Sequence, residues 1–279
     1  MTRLTLRYLR AEDLSFADRL RQMAGWNQTT ADWQRFLDLS PNGCLLAELD
    51  GQPAATATTI QYGNEVGWIG MLLVHPDFRR RGIARVMLSH CIERLKAGGV
   101  RSIKLDATPE GREVYVGLGF QDEFQLTRYS GTLRGDDSTS QLRPPVEADL
   151  PQIIELDARA FGTDRPSLLA RLLRESPLAL VSEVPGRILA FGFQRSGSLA
   201  TYLGPIAGEP AACAQIADSL ARECDKFFCD LPDSNVVAVK WAQSRGLQPQ
   251  RTLIRMFLSC NVPSPSPGEQ FSIAAPELG

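Results

Sequence analysis

The chain repeats itself, and no other feature of the sequence limits its possible folds as much. Arg7-Tyr-Leu-Arg-Ala-Glu-Asp13-Leu14 returns as Arg143-Pro-Pro-Val-Glu-Ala-Asp149-Leu150, each followed by a helical pattern. Leu46-Ala-Glu-Leu-Asp-Gly51 returns as Leu180 to Gly186, a strand running into a turn, and Trp68-Ile69-Gly70-Met71 returns as Tyr202-Leu203-Gly204-Pro205. The segment from Asp106 to Phe120 returns as Asp230 to Leu247, a strand end, a turn and a helix stopping at glycine. Four correspondences in one order predict two copies of one fold, as suits a chain of 279 residues. The polar, Gly-containing join gives a first copy over 1–133, a linker over 134–141, a second copy over 142–262 and a tail over 263–279. Pro263, Pro265 and Pro267 are expected to keep the tail from continuing a strand, so that it wraps the surface with Phe271, Ile273 and Leu278 able to dock.

Within the first copy the periodicity predicts an opening strand, a helix over Ala11 to Met23 and a second over Thr30 to Leu39 with Thr29 or Thr30 as N-cap. A hairpin follows, Cys44 to Leu49 and Pro53 to Tyr62, because Asp50-Gly51 between apolar runs favours a tight turn. A central strand over Glu65 to His75, a helix reaching about Lys96, a strand from Ser102 to Asp106, a short helix carrying Tyr115 and a closing strand near Phe124 to Ser130 complete it. Alternation of this kind implies a mixed α/β domain with a central sheet flanked by helices.

Between the central strand and its helix stands Val74-His-Pro-Asp-Phe-Arg79-Arg80-Arg81-Gly82-Ile83-Ala84-Arg85. The first N–H groups of a helix lack internal partners and lie at the positive end of its dipole, so such a turn suits a phosphate. Neither the phosphate-loop GxxxxGK[ST] spacing nor GxGxxG is present. Arg79-x-x-Gly82-x-Ala84 instead resembles the acyl-CoA pyrophosphate loop of the GCN5-related N-acetyltransferases (GNAT). Tyr115-x-x-x-Gly119-Phe120 resembles the tyrosine and Gly-Phe ending of the same family.

The resemblance implies two tandem GNAT-like domains and direct transfer of an acetyl group from acetyl-CoA to a primary amine. By that resemblance the central strand bulges and parts from its neighbour. Pantetheine then lies along Leu72, Leu73 and Val74, and Arg79, Arg80, Arg81, Gly82, Ile83, Ala84 and Arg85 hold the phosphates. Thr108 stands where the family often has Asn, and Gly111 where it has Ala; both are expected to face the cofactor. Tyr115 is expected to protonate the departing thiolate, since a phenol and a thiol titrate within about two units of one another. A base is also required, for which Glu65, His75 and Asp106 are the acidic or basic groups on or beside the two strands. The apolar Trp26, Trp33, Trp68, Met71 and Leu73 either shape the acceptor pocket or belong to the core.

The second copy has no arginine in Ile206-Ala-Gly-Glu-Pro-Ala-Ala and has Ala242 where the first has Tyr115, although Asn235-x-x-Ala238 keeps the family spacing. It is expected to be degenerate and to cover the acceptor cleft of the first copy. Two other functions remain open at this stage, a non-catalytic acyl-CoA sensor and an enzyme acting on a protein or peptide amine.

A formal charge of −2 and ordinary globular composition, 43% hydrophobic and 22% charged, point away from nucleic-acid and anionic-membrane partners. No apolar run approaches membrane-spanning length, and the amino-terminal stretch lacks the apolar core of a signal peptide, so a cytoplasmic monomer or homodimer is expected. Six scattered cysteines with only His75 and His90 nearby in type make no metal site and read as buried free thiols.

Overall fold

A computed structural model describes residues 3–134 and 142–279. The linker, apart from residue 134, lies outside the described residues. In the first copy β1 (Leu4–Tyr8) leads to α1 (Leu14–Met23) and α2 (Thr30–Leu39), then β2 (Cys44–Leu49), β3 (Gln52–Tyr62) and β4 (Val66–Val74). Next come α3 (Ile83–Ala97), β5 (Ser102–Ala107), α4 (Pro109–Val116) and β6 (Gln121–Gly131). The second copy opens with β7 (Leu142–Arg143), α5 (Leu150–Phe161), α6 (Pro166–Glu175), β8 (Ala179–Val184) and β9 (Arg187–Arg195). It continues with β10 (Thr201–Gly208), α7 (Pro210–Arg222), β11 (Phe227–Pro232), α8 (Val236–Ser244) and β12 (Gln248–Ser259), and β13 (Gln270–Ser272) follows.

The repeated residues do the same work in both copies. Arg7 donates to both Asp13 carboxylate oxygens, at 2.7 and 2.8 Å, and to Glu48; Arg143 does the same with Asp149 and Glu183. Each aspartate also accepts from a backbone N–H at the start of its helical segment, Arg10 in one copy and Val146 in the other. The Asp50-Gly51 turn has positive φ at both residues, 53° and 80°, the twist that suits a two-residue hairpin.

The two sheets are one. Strand order is β1-β2-β3-β4-β5-β12-β6-β11-β10-β9-β8-β7. Each copy therefore inserts its last strand into the other: β12 pairs with β5 and with β6, and β6 pairs with β11. Two buried aspartates at strand ends fasten the exchange. Arg255 of β12 binds Asp106 of β5, and Arg128 of β6 binds Asp230 of β11, in two-pronged pairs of 2.6 to 3.0 Å. Helices α1, α2, α5 and α6 share one core that spans both copies, including Trp33, Trp68, Ile153, Phe161, Phe191 and Tyr202. On the opposite face α3 packs on the first half and α7 with α8 on the second.

The tail departs from expectation. Once past its prolines it forms β13 against β10, and Phe271, Ile273, Ala274, Ala275 and Leu278 are all at most 1% exposed. It threads between the copies rather than over them. Docking of Phe271, Ile273 and Leu278 is as expected; the prolines at 263, 265 and 267 precede the paired residues and take no hydrogen bond from the ladder.

Candidate active site

The site begins where β4 leaves β5. The two strands pair in parallel only from Val66–Ser102 to Trp68–Lys104. Beyond that the ladder stops, and the β3–β4 register shifts between Thr56 and Thr58. Met71 sits at the bulge with φ of 49°, its carbonyl accepting from the Thr56 hydroxyl at 3.0 Å. A bulge re-aims a strand, here opening the edge of β4 from residue 69 onwards.

A cavity of about 210 Å³ occupies the opening, lined by Ile69 to Leu72, Leu105, Asp106, Thr108, Gly111 and Tyr115 from the first copy. Trp26 and Gln28 from the loop between α1 and α2 also reach it, as do Arg251 and Leu253 of β12 and Pro276 and Glu277 of the tail. The wall is built by both copies.

Thr108 caps α4 by accepting from Gly111 N–H at 3.2 Å. Gly111 leaves room for the Tyr115 ring, since a Cβ there would lie 3.2 Å from it. The ring is half-buried, set edge-on to Phe120 at 6.0 Å. Burial raises its pKa to about 12, so the phenol keeps its proton at neutral pH.

The arginine turn has Arg80 at φ 60° and Gly82 at φ 78°, the latter N-capping α3. Left-handed residues set one apart before a helix turn backbone N–H groups toward one point, an arrangement that suits an anion. Arg79 Nε donates to the Val74 carbonyl at 3.2 Å, while Arg81 donates to the Asp77 carbonyl and stacks on Phe78. Those two side chains brace the turn, Arg80 and Arg85 are exposed, and the Ile83 side chain is core, leaving only its backbone to face a ligand.

Of the candidate bases read from the sequence, only Asp106 is brought to the cavity; Glu65 and His75 are not. Glu65 lies at the far end of β4, paired with Arg101 at 2.7 Å. His75 accepts from Asp77 N–H at 3.3 Å and packs on Phe78, beside the phosphate turn. Asp106 lines the cavity but is held by Arg255. Trp33, Trp68 and Leu73 are core, and of the expected apolar set Trp26 and the largely buried Met71 line the opening.

Sequence reasoning missed Glu277. It is 3% exposed, accepts from Gln28 Nε2 at 2.7 Å on one oxygen, and stands 3.6 Å from Arg195 on the other, which has no hydrogen-bond partner. Burial, helped by the nearby Asp32, raises its pKa above the usual carboxylate value despite Arg195. Its one signal in the sequence is a lone charge between Ala274-Ala275-Pro276 and Leu278.

The second copy has the same opening, already filled. β10 and β11 pair only at Thr201–Phe227 and Tyr202–Phe228. β13 then pairs with Ile206 and Ala207, and Ile273 N–H donates to the Asp230 carbonyl at 3.1 Å. Asn235, kept from the family pattern, donates to the carbonyls of Gly268 and Gln270.

The profile described as the Acetyltransferase (GNAT) family matches residues 11–120, and that of the Acetyltransferase (GNAT) domain matches residues 153–272. The chain belongs to the GNAT family. Among curated relatives it is 25% identical to holothin acyltransferase of a Pseudoalteromonas strain, over 73% of this chain and 65% of that one. It is 29% identical to YitH, an uncharacterised N-acetyltransferase of Bacillus subtilis, over 55% of each chain. The chain thus spans less than two thirds of either relative. In fold it is similar to a presumptive acetyltransferase from Pyrococcus horikoshii, with TM-score 0.86 and 22% identity over 99% of this chain and 96% of that one. A tandem GNAT protein from the clavulanic acid biosynthesis pathway superposes with TM-score 0.65 and 14% identity over 92% and 98%. The family implies an acyl-CoA co-substrate. Among the described residues no group of His, Cys, Asp and Glu is arranged to hold a metal, and no helix is long and apolar enough to cross a membrane.

Proposed function

We propose that the chain transfers an acetyl group from acetyl-CoA to the primary amine of a small molecule held in the cavity between its copies. The observation that carries this reading is the parting of β4 from β5 into a cavity that has Tyr115 on one wall and Glu277 on another. The open edge at Leu72 to Val74 suits the amide groups of pantetheine, and the backbone from Arg79 to Arg85, with the Arg80 and Arg85 side chains, suits its phosphates.

The amine nitrogen attacks the thioester carbon, a C–N bond forms and the C–S bond breaks. Glu277 takes the proton that nitrogen loses, and Tyr115 gives one to the departing sulfur; solvent restores both groups. A carboxylate raised by burial is a better base than an exposed one, and one of its oxygens takes no hydrogen bond, Arg195 standing 3.6 Å from it. Trp26, Leu253 and Pro276 give the cavity an apolar part of its wall.

The second copy is read as a non-catalytic partner. Its equivalent opening is filled by β13, Glu209 stands at the start of α7 where an anion would approach, and Ala242 replaces the tyrosine. The test is a set of primary amines offered with acetyl-CoA while thiol release is followed, for the wild type, Tyr115→Phe and Glu277→Gln. Transfer by the wild type with loss of about 10²-fold or more in kcat for each variant is expected, with the ligand-induced rise in Tm retained. Binding of acetyl-CoA without thiol release from any amine would refute the enzyme and leave the sensor.

A further inference from the structure

Arg251 is a cation lining the cavity that no ion pair among the described residues neutralises. It stands directly across the central ladder from Arg128, an arrangement that costs stability unless both charges find partners. Arg128 has one, the buried carboxylate of Asp230. Arg251 has none among the described residues, and its buried Nε lacks any hydrogen-bond partner. Burial and the facing Arg128 both disfavour its charge.

The repeat sharpens the point. The exchange of strands relates Arg255 to Arg128, each holding the strand-end aspartate of the other copy. The position so related to Arg251 is Phe124, which lies across from Arg255 on the same ladder. Three of the four sites are explained by the fold: two arginines hold aspartates, and Phe124 packs under the Arg255 guanidinium at 5.0 Å. The fourth breaks the symmetry with an unpaired charge, on the side where the cavity lies. A position that breaks a local rule with no structural return is where function is sought.

We propose that Arg251 pairs with an anionic group on the acceptor, so that the acceptor is an amine that also bears a carboxylate. The cavity then offers one end of each sign: Arg251 for the carboxylate and Glu277 for the ammonium that must become an amine. Asp106 also lines the cavity but is matched by Arg255, and the other charges around Glu277, namely Asp32, Arg195 and Arg128, are engaged with one another or with Arg35 and Asp230. This inference rests on the transfer reading above.

The test uses matched pairs that differ only by the carboxylate: tyrosine and tyramine, histidine and histamine, lysine and cadaverine, arginine and agmatine. With the full chain and acetyl-CoA, thiol release gives kcat/KM for each member, and the ratio within a pair cancels any general loss of folding or cofactor binding. For at least one pair the wild type should favour the carboxylate form. Arg251→Met should cut that ratio by about tenfold to hundredfold, the usual range for a hydrogen bond to a charged group, chiefly through KM. Arg251→Lys should restore part of it, since a lysine keeps the charge but not the fork. A wild type that acetylates only the decarboxylated members, or an Arg251→Met variant with the wild-type ratio, overturns the proposal and leaves transfer standing. Absence of thiol release with every amine, alongside a normal acetyl-CoA-induced rise in Tm, overturns the transfer reading itself.

Discussion

Glycine at position 70 is where the tail and the active strand touch, and replacing it with alanine should displace Glu277 without changing any group that does chemistry. A Cβ at Gly70 would lie 2.9 Å from the carbonyl oxygen of Glu277 and 3.0 Å from its Cα. Carbon contacts normally settle at about 3.5–4.0 Å, so the tail must retreat by roughly 0.5–1 Å. It cannot do so freely. Trp68 Nε1 donates to the Pro276 carbonyl at 3.0 Å, Tyr62 to Leu278 at 2.8 Å, and Arg165 to Leu278 and Gly279 at 3.1 and 2.8 Å. Overpacking against held backbone costs about 1–3 kcal/mol, and a chain of this size should lose about 2–4 °C of Tm per kcal/mol. Misplacing a catalytic group by about 1 Å can cost on the order of 10²-fold, so kcat for Gly70→Ala should fall about 10-fold to 100-fold. Acetyl-CoA should still raise Tm, because the phosphate turn is untouched. Gly67→Ala is the control: its Cβ meets the methyl ends of Leu95 at 2.8 and 3.0 Å, on the side chain of α3, so it should cost stability while leaving kcat in place. Wild-type kcat in Gly70→Ala, with Glu277→Gln impaired, would refute the coupling of tail position to chemistry.

Other consequences follow from groups the fold has buried. Arg165→Met should destabilise by about 3–5 kcal/mol, because it strands the Asp157 carboxylate, 1% exposed, and frees the tail end; denaturant midpoints measure this. Glu277→Gln should be more stable than the wild type at pH 8. Its carboxyl is raised by burial, so the stabilising protonated form is complete only below the unfolded carboxylate range near about 4.3 and is lost as pH rises through the folded value. The gap between the two proteins should therefore close by about pH 4 in melts across pH. Phe271→Ala, which empties a side chain 1% exposed under Trp241, should cost about 3–5 kcal/mol in the same assay. A native thiol titration should find Cys260 reacting fast and Cys44, Cys91, Cys213, Cys224 and Cys229 slow, since burial shields all five and raises each thiol pKa.

The buried neighbours of the exchanged strands bear on how the second copy can be studied. β12 lies between β5 and β6, so cutting the chain at the linker removes a central strand from the first copy along with the covering wall. Loss of activity in such a fragment would report an opened sheet, not the role of the pocket residues. Point changes at Arg251 and Glu277 separate the two.

What could be read along the chain was whatever is written in short range. Asp50-Gly51 announces its hairpin because two consecutive residues must take positive φ. The α2 boundaries, Thr30 to Leu39, follow from apolar spacing and a polar residue before the first turn. Arg79 to Ala84 and Tyr115 to Phe120 carry the family's spacing within a few residues of each other. The repeat itself is legible for the same reason: Arg7 with Asp13, and Arg143 with Asp149, solve one local capping problem twice.

The structure alone decided which strand lies beside which. Periodicity tells a strand which face to bury but not whose edge to join, so nothing near Gln248 to Ser259 reveals that it pairs with β5. The tail is the extreme case. β13 has three residues, too few for a pattern, and its place is an opening left by β10 and β11, which lie roughly sixty and forty residues earlier in the chain. That opening directs the chain onward past Gly70, and only then does Glu277, 162 positions beyond Tyr115 in this numbering, come to line the same cavity. Sequence therefore determined the elements and the turn proposed to hold the cofactor, whose chemistry is local backbone geometry. Tertiary packing decided the surroundings of Glu277, the proposed base, and of the proposed acceptor wall, because a buried charge gains its properties from neighbours that the chain brings from elsewhere.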